Sequence, residues 1–416
     1  MTLLQQSMTD SVTAAWTPLI PHFDPVEPTT FRKKRLEARK ILDGLQPPSD
    51  KKYTNWERLK LAERFADKDI GGIAPELVID QPDYDTGLKT IAIPLSKAVK
   101  DWPEHVEPYL AGEALPPDYN FMSAFSAATY TDGAVVVIPD NTTVDVTATF
   151  AAQPGKLNSY RTIIIVGEGA KATFTELTAP HTPRNPNGES ADTTITHGVE
   201  VYAKPNSRFS YYGLQEWTDD VSYWPVYRAI VERDATLDWL IGSFGAKLSQ
   251  LQVESALSGP GATSAVRAVY YGSADQHFDQ QLVANHVVGH TTSDTYARGV
   301  VDERAKAVYR GLIKIQRGAH GSSADQNGHA MLMTSDAHAD AIPGLEIDAD
   351  DVTAGHGATV GKVDEEQLFY LMARGLSREQ AVEMLVRGFF EDLFKRITRA
   401  DVRERFWNAV DSKRNA

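Results

Sequence analysis

The chain has 416 residues and no cysteine, and its 42 lysines and arginines are outnumbered by 56 aspartates and glutamates, for a net charge of −14. That balance argues against general binding to nucleic acid or anionic membranes, and the missing thiols exclude disulfides, thiolate metal sites, thiol nucleophiles and sulfur carriage within these residues. The length exceeds what one hydrophobic core usually serves, so it implies two or three folding units or one elongated repetitive body.

The first residues show neither a basic start nor a sustained apolar run, and the longest apolar stretches, such as "TIIIVG" from Thr162, are only strand-length. The expectation is a soluble cytoplasmic protein. Residues 1–128 read as a helical and mixed region. Thr30 is placed to cap "FRKKRLEARKIL" and Asn55 to cap "WERLKLAERF", with "PPSD" between them. The basic run in the first helix reads as its wet face. The amphipathic "SKAVKDWPEHVEPYL" follows, and then "LPPDYN" marks a boundary.

Near Tyr130 helical spacing gives way to short β-branched and aromatic runs, and the change persists for about 200 residues. One form recurs: a strand, then "GEGAKA", "KPNSRF", "ERDATL", "GPGATS" or "RGAHGS", then another strand. Where the turns are clear, at Gly169, Pro205, Asp234 and Pro260, they lie loosely 26 to 36 residues apart. Residues 129–355 are therefore expected to form a β-solenoid, in which each rung buries its inward side chains against its neighbours. An antiparallel β-sandwich fits the same pattern.

Residues 356–416 return to helix. Asp364 with Gln367, and Ser377 with Gln380, have capping-box spacing, and Gly375 can close the first helix. Leu368, Leu371 and Met372 share one face of that helix. In the second, Val382, Val386, Phe389, Leu393 and Ile397 form a stripe, with Leu385, Phe390 and Phe394 beside it. So wide an apolar face either docks on the chain's own β-body or takes a partner.

Several constellations have residue types that can carry chemistry. "GHGATVGK" at 355–362 fails as a phosphate loop, because the first glycine's place holds His356 and Val363 follows the lysine. "GEGAKA" lacks the third glycine of a dinucleotide fingerprint. His286 and His290 have a spacing that shares a metal on a helix, but the text around them reads as strand, where they would stand roughly 13 Å apart. "DADD" at 348–351 fails as an EF-hand and reads as a solvated turn. His356 remains, flanked by Gly355 and Gly357, which remove bulk, permit unusual backbone angles and would let a second chain or an inorganic group approach the ring. A turn histidine without a role is the alternative.

The stretch "LEIDADDVTAGHGATVGKVDEEQLFYLMARGLSREQA" at 345–381 resembles the SufB/SufD family of iron-sulfur cluster assembly scaffold proteins. The resemblance extends through "GPGATSAVRAVYYG", "ARGVVDERAKAVYRGLIKI" and "SADQNGHAMLM". It implies a right-handed parallel β-helix with helical terminal regions. It further implies pairing with a SufB-like paralogue through the β-helix, a SufC-like ATPase held by the C-terminal helices, and a nascent iron-sulfur cluster or iron at the junction, transient and shared.

In that family a SufD histidine contributes from the side opposite the SufB cysteines, and His356 occupies its place. Persulfide sulfur requires a thiolate, so a chain without cysteine is similar to SufD of the two. Neutral imidazole is a suitable borderline donor for iron. The chain is then a non-catalytic scaffold subunit, able to pair with a second copy when isolated, with ATP hydrolysis left to the partner. Two other readings stand beside this one: a purely architectural partner with no ligand role, and a carbohydrate-active β-helix enzyme using Asp348, Asp350 and Asp351.

Overall fold

The computed structural model describes residues 28–45, 68–71, 73–80, 89–179 and 191–414. The helix expected from Asn55, and the "PPSD" break before it, lie outside the described residues. Helix α1 (Thr29–Gly44) forms where the basic run was read as helical, and buries Phe31, Ala38 and Leu42. Its N-cap is Pro28, with no side-chain cap, so Thr30 sits inside the first turn rather than capping it. Strands β1 (Ile70–Gly71), β2 (Glu76–Asp80) and β3 (Ile91–Pro94) follow, and then α2 (Leu95–Asp101), α3 (Pro103–Val106) and α4 (Phe121–Thr129). Asn120 caps α4 through a reciprocal pair of bonds with Ser123.

From there the chain winds into a parallel β-solenoid of about seven turns. One face holds β4 (Ala134–Ile138), β6 (Leu157–Val166), β8 (Thr193–Ala203), β10 (Val221–Val231), β12 (Leu248–Leu257), β14 (His277–His286), β16 (Lys306–Ile315) and β18 (His338–Ile347). The other holds β5 (Thr143–Phe150), β7 (Lys171–Thr178), β9 (Arg208–Gln215), β11 (Thr236–Ser243), β13 (Thr263–Gly272), β15 (Thr292–Val301), β17 (Ser323–Leu332) and β19 (Thr353–Lys362). Successive strands of each face pair in parallel, as in the register Leu251, Gln280, Tyr309, Ala341, which rules out the antiparallel sandwich.

The corners explain the recurring turns. Asn141, Gly169, Asn206, Asp234, Gly261, His290, Gly321 and Asp351 all have positive φ. Each donates its backbone N–H to the turn of the next rung where such a rung exists, as Asn206 does to Arg233 and His290 to His320. Gly, Asn, Asp and His are the residues that enter the left-handed region most readily, so these positions stack into one column.

Inside, Ile164, Val199, Leu237, Val253, Val266 and Leu282 belong to a continuous apolar core. Rungs near the N-terminal end also hold one polar cluster. The fully buried Glu176 accepts bonds from Tyr211, from Tyr227 at 2.9 Å and from Tyr223 at 3.4 Å. His197 Nδ1 lies 3.4 Å from the same carboxylate, and its Nε2 is 2.9 Å from Thr162 Oγ1. Burial pushes the Glu176 carboxyl up, but His197 and the tyrosine hydroxyls outweigh it and hold it below the usual range.

The two ends of the solenoid differ. At the N-terminal end β3 and β2 run antiparallel to β4 and β5 and cover the first rung. At the other end β18 and β19 have a hydrogen-bonded neighbour on one side only. The last strand runs through His356 to Lys362, so the β-body extends past the expected boundary at 355. Helices α5 (Glu365–Ala373), α6 (Arg378–Phe394) and α7 (Ala400–Arg414) complete the chain. Ser377 and Gln380 form the expected capping box, and Asp364 caps α5 by accepting from the N–H groups of Glu366 and Gln367.

Candidate functional site

His356 lies in the middle of a strand, not in a turn. Its neighbours down the ladder are Gln326, Thr295, Val266 and Trp239. Register partners in a parallel ladder point the same way. Val266 and Trp239 are core residues and Gln326 is fully buried, so His356 faces along the solenoid's interior side. It is nevertheless exposed, because no rung stacks above it.

Gly355 and Gly357 face the opposite side and have ordinary extended backbone, so the unusual angles expected of them are not used. Their partners are Asp325 and Asn327 of β17. A β-carbon at 355 would come within 3.0 Å of Asp325 Oδ1, and one at 357 within 2.7 Å of Asn327 Oδ1. Those two side chains are tied together by Asn327 Nδ2 donating to Asp325 Oδ2 at 2.5 Å. The glycines therefore make room for a polar pair on β17, and the small residues on the imidazole's own face are Ala354 and Ala358. The geometry offers one exposed imidazole on a terminal strand whose outer edge is unpaired. Among the described residues no three His, Asp or Glu side chains gather as a cation site, so a metal bound at His356 would draw its other ligands from elsewhere.

His286 and His290 do not share the expected strand, because β14 stops at His286 and His290 falls in the turn that follows. His286 ends β14, fully buried, with Nδ1 2.7 Å from Thr291 Oγ1 and Nε2 2.8 Å from Ser293 Oγ. Burial lowers its pKa to about 4, which keeps the ring neutral between two hydroxyls. His290 is the left-handed residue of its corner. Asp351 has the same role in its own turn, so "DADD" is a turn, as read. The segment 355–362 is strand, without the strand–loop–helix geometry of a phosphate loop.

The apolar stripe of α6 is covered by the chain itself. Val386, Phe390, Leu393 and Phe394, with Ile397 beyond the helix, pack on Tyr212, Leu214, Leu240, Val269 and Val300 of the solenoid's outer face, together with Phe406 and Val410 of α7. Arg298 reinforces the joint by donating to the Phe389 carbonyl at 2.6 Å. On the terminal helices the uncovered apolar residues are Phe369, 74% exposed, Tyr370, 58% exposed, and Met372 of α5, beside the buried Leu368, and Met384 of α6.

A family model described as "SUF system FeS cluster assembly, SufBD core domain" matches residues 149–389, which takes in most of the solenoid, β19 with His356, and α5. This chain belongs to the SufBD family. An iron-sulfur cluster assembly SufBD family protein of Mycobacterium leprae (strain TN) is 35% identical over 238 residues, 57% of this chain and 27% of the relative. The iron-sulfur cluster assembly protein SufB of Bacillus subtilis (strain 168) is 30% identical over 289 residues, 68% of this chain and 61% of the relative. A SufBD family protein of Staphylococcus saprophyticus is 29% identical over 289 residues, 68% of this chain and 60% of the relative. The SufBD match thus spans about a quarter of the mycobacterial relative and about three-fifths of the other two. Among the described residues no helix is long and apolar enough to cross a membrane.

The sequence reading singled out none of Asp325, Gln326 and Asn327. Their signal is the rung-to-rung offset that brings residue 326 beside 356, and it becomes readable only once the parallel register is known.

Proposed function

We propose that this chain is a SufD-like scaffold subunit of an iron-sulfur cluster assembly complex. Its uncapped end pairs with a SufB-like paralogue, and His356 there offers one nitrogen to a nascent cluster or iron that is cargo rather than resident cofactor. The observation that carries this reading is an exposed imidazole on a terminal strand whose outer edge is unpaired, at the one end of the solenoid that no antiparallel strand covers. Unpaired strands are templates for pairing with another chain, and a partner there would bring its side chains up to His356. The same edges would let the isolated chain pair with a second copy. With no cysteine here, persulfide sulfur and the thiolate ligands fall to the partner.

The exposed Phe369 and Tyr370 beside Met372 form the surface on which a SufC-like ATPase would dock, and that partner would hydrolyse ATP. The purely architectural reading draws on a different observation, namely that His356 is not accompanied by any further clustered donor among the described residues.

The test is co-expression with SufB-like and SufC-like subunits, purification through a tag on this chain, and anaerobic measurement of bound iron and sulfide. Retention of both partners with bound iron and sulfide is expected. A stoichiometric cluster on this chain purified alone would overturn the proposal.

A further inference from the structure

The solenoid interior treats its polar groups in two ways. Near the N-terminal end Glu176, His197 and three tyrosines satisfy one another across the lumen. In the last rungs the pattern changes. Gln280 of β14 is fully buried with neither side-chain oxygen nor nitrogen bonded, the buried Tyr309 hydroxyl of β16 has no partner, and Gln326 of β17 leaves Oε1 unpaired while its Nε2 donates to the Gly344 carbonyl at 2.8 Å.

Two of these groups meet, and the third lies on the neighbouring strand. Gln280 and Tyr309 are register partners on one face, and Gln326 comes from the other. A β-carbon at position 311 would collide with both the Tyr309 hydroxyl and Gln326 Oε1, so those two atoms meet over a glycine from opposite faces. A β-carbon at 328 would strike the Tyr309 ring, so a second glycine seats it. Only one rung separates the group from the uncovered end, and its side chains beside these residues are Ala341, His356 and Ala358.

Four buried polar atoms without partners each forfeit their hydration with nothing in return, and a native core does not collect them in one place without a guest. Two carboxamides and a phenol offer donors and acceptors but no charge, which suits a small neutral molecule that both donates and accepts. We propose that Gln280, Tyr309 and Gln326 form a buried water site inside the last rungs of the solenoid, so that the lumen beneath His356 is hydrated. The site depends on the interior geometry alone and does not require His356 to bind a metal.

A crystal structure of the full chain at a resolution showing ordered solvent tests it directly. At least one water bonded to two or more of Tyr309 Oη, Gln326 Oε1 and the Gln280 amide is expected. The companion measurement is thermal unfolding of Gln280→Met, which removes hydrogen-bonding groups at near-constant volume. If the site is wet, the melting temperature falls by about 2 °C or more, since the water loses a partner. An interior without water, or a melting temperature unchanged or raised by Gln280→Met, overturns the proposal. Because neither readout involves iron, failure here leaves the scaffold reading untouched, and failure of that reading leaves this site in place.

Discussion

His286 gives this fold a specific acid sensitivity. Its ring is fully buried between the Thr291 and Ser293 hydroxyls, and burial lowers its pKa from 6.5 to about 4. A base whose pKa is depressed by folding contributes stability that is complete above its unfolded value and is lost as pH falls toward its folded value, because only the unfolded chain takes up the proton in that window. Between pH 7.5 and pH 4.5 this one residue should cost roughly 2–3 kcal/mol, from the ratio of proton-binding polynomials for values of 6.5 and about 4. The assay is urea unfolding of wild type and His286→Gln at both pH values. Other groups titrate in this range and appear in both proteins, so the difference between the two pH dependences isolates His286. The variant is expected to be less stable at pH 7.5, having lost part of its hydrogen bonding, but to lose about 2–3 kcal/mol less on acidification. Equal losses in the two proteins would refute the inference that the imidazole is held neutral by burial.

Other consequences can be measured in the same way. Glu176→Ala strips the carboxylate from three tyrosines and His197, and should destabilise the chain by about 3–5 kcal/mol in denaturant unfolding, well beyond Glu176→Gln. Gly299→Ala drives a β-carbon into the Tyr270 ring and should cost about 1–3 kcal/mol, whereas Gly361→Ala, with nothing within 4 Å, should leave the unfolding midpoint unchanged. Replacing the exposed Phe369 and Tyr370 together by Ala should leave stability within about 0.5 kcal/mol while releasing the SufC-like subunit in a pull-down; retention of that subunit would remove α5 as its docking surface.

Much of this architecture is legible without coordinates because each rung obeys local rules. Asn206, Asp234 and Gly261 are residue types that accept a left-handed corner, and the β-branched runs between them alternate or fill as buried strands do. Ser377 with Gln380 announced α6 through a purely local pair. Long-range consequences were harder to read. "TAGHGATVGK" is so rich in small residues that it reads as a turn, yet pairing along β17 holds it extended. Two readings of the α6 stripe stayed open because sequence does not say which surface lies opposite; Tyr212, Leu240 and Val300 supply it from distant rungs. Gln280, Tyr309 and Gln326 look like ordinary alternation within their strands, and their juxtaposition arises only from stacking.

The central claim is that His356 serves the cluster from the uncovered end of the solenoid without holding the complex together. Its most direct test is His356→Ala in the co-purified three-component complex, with iron and acid-labile sulfide measured per complex under anaerobic conditions. Intact subunit stoichiometry with a marked fall in bound iron and sulfide is the expected result. An unchanged iron and sulfide content would contradict the ligand role, and would leave the chain as an architectural partner.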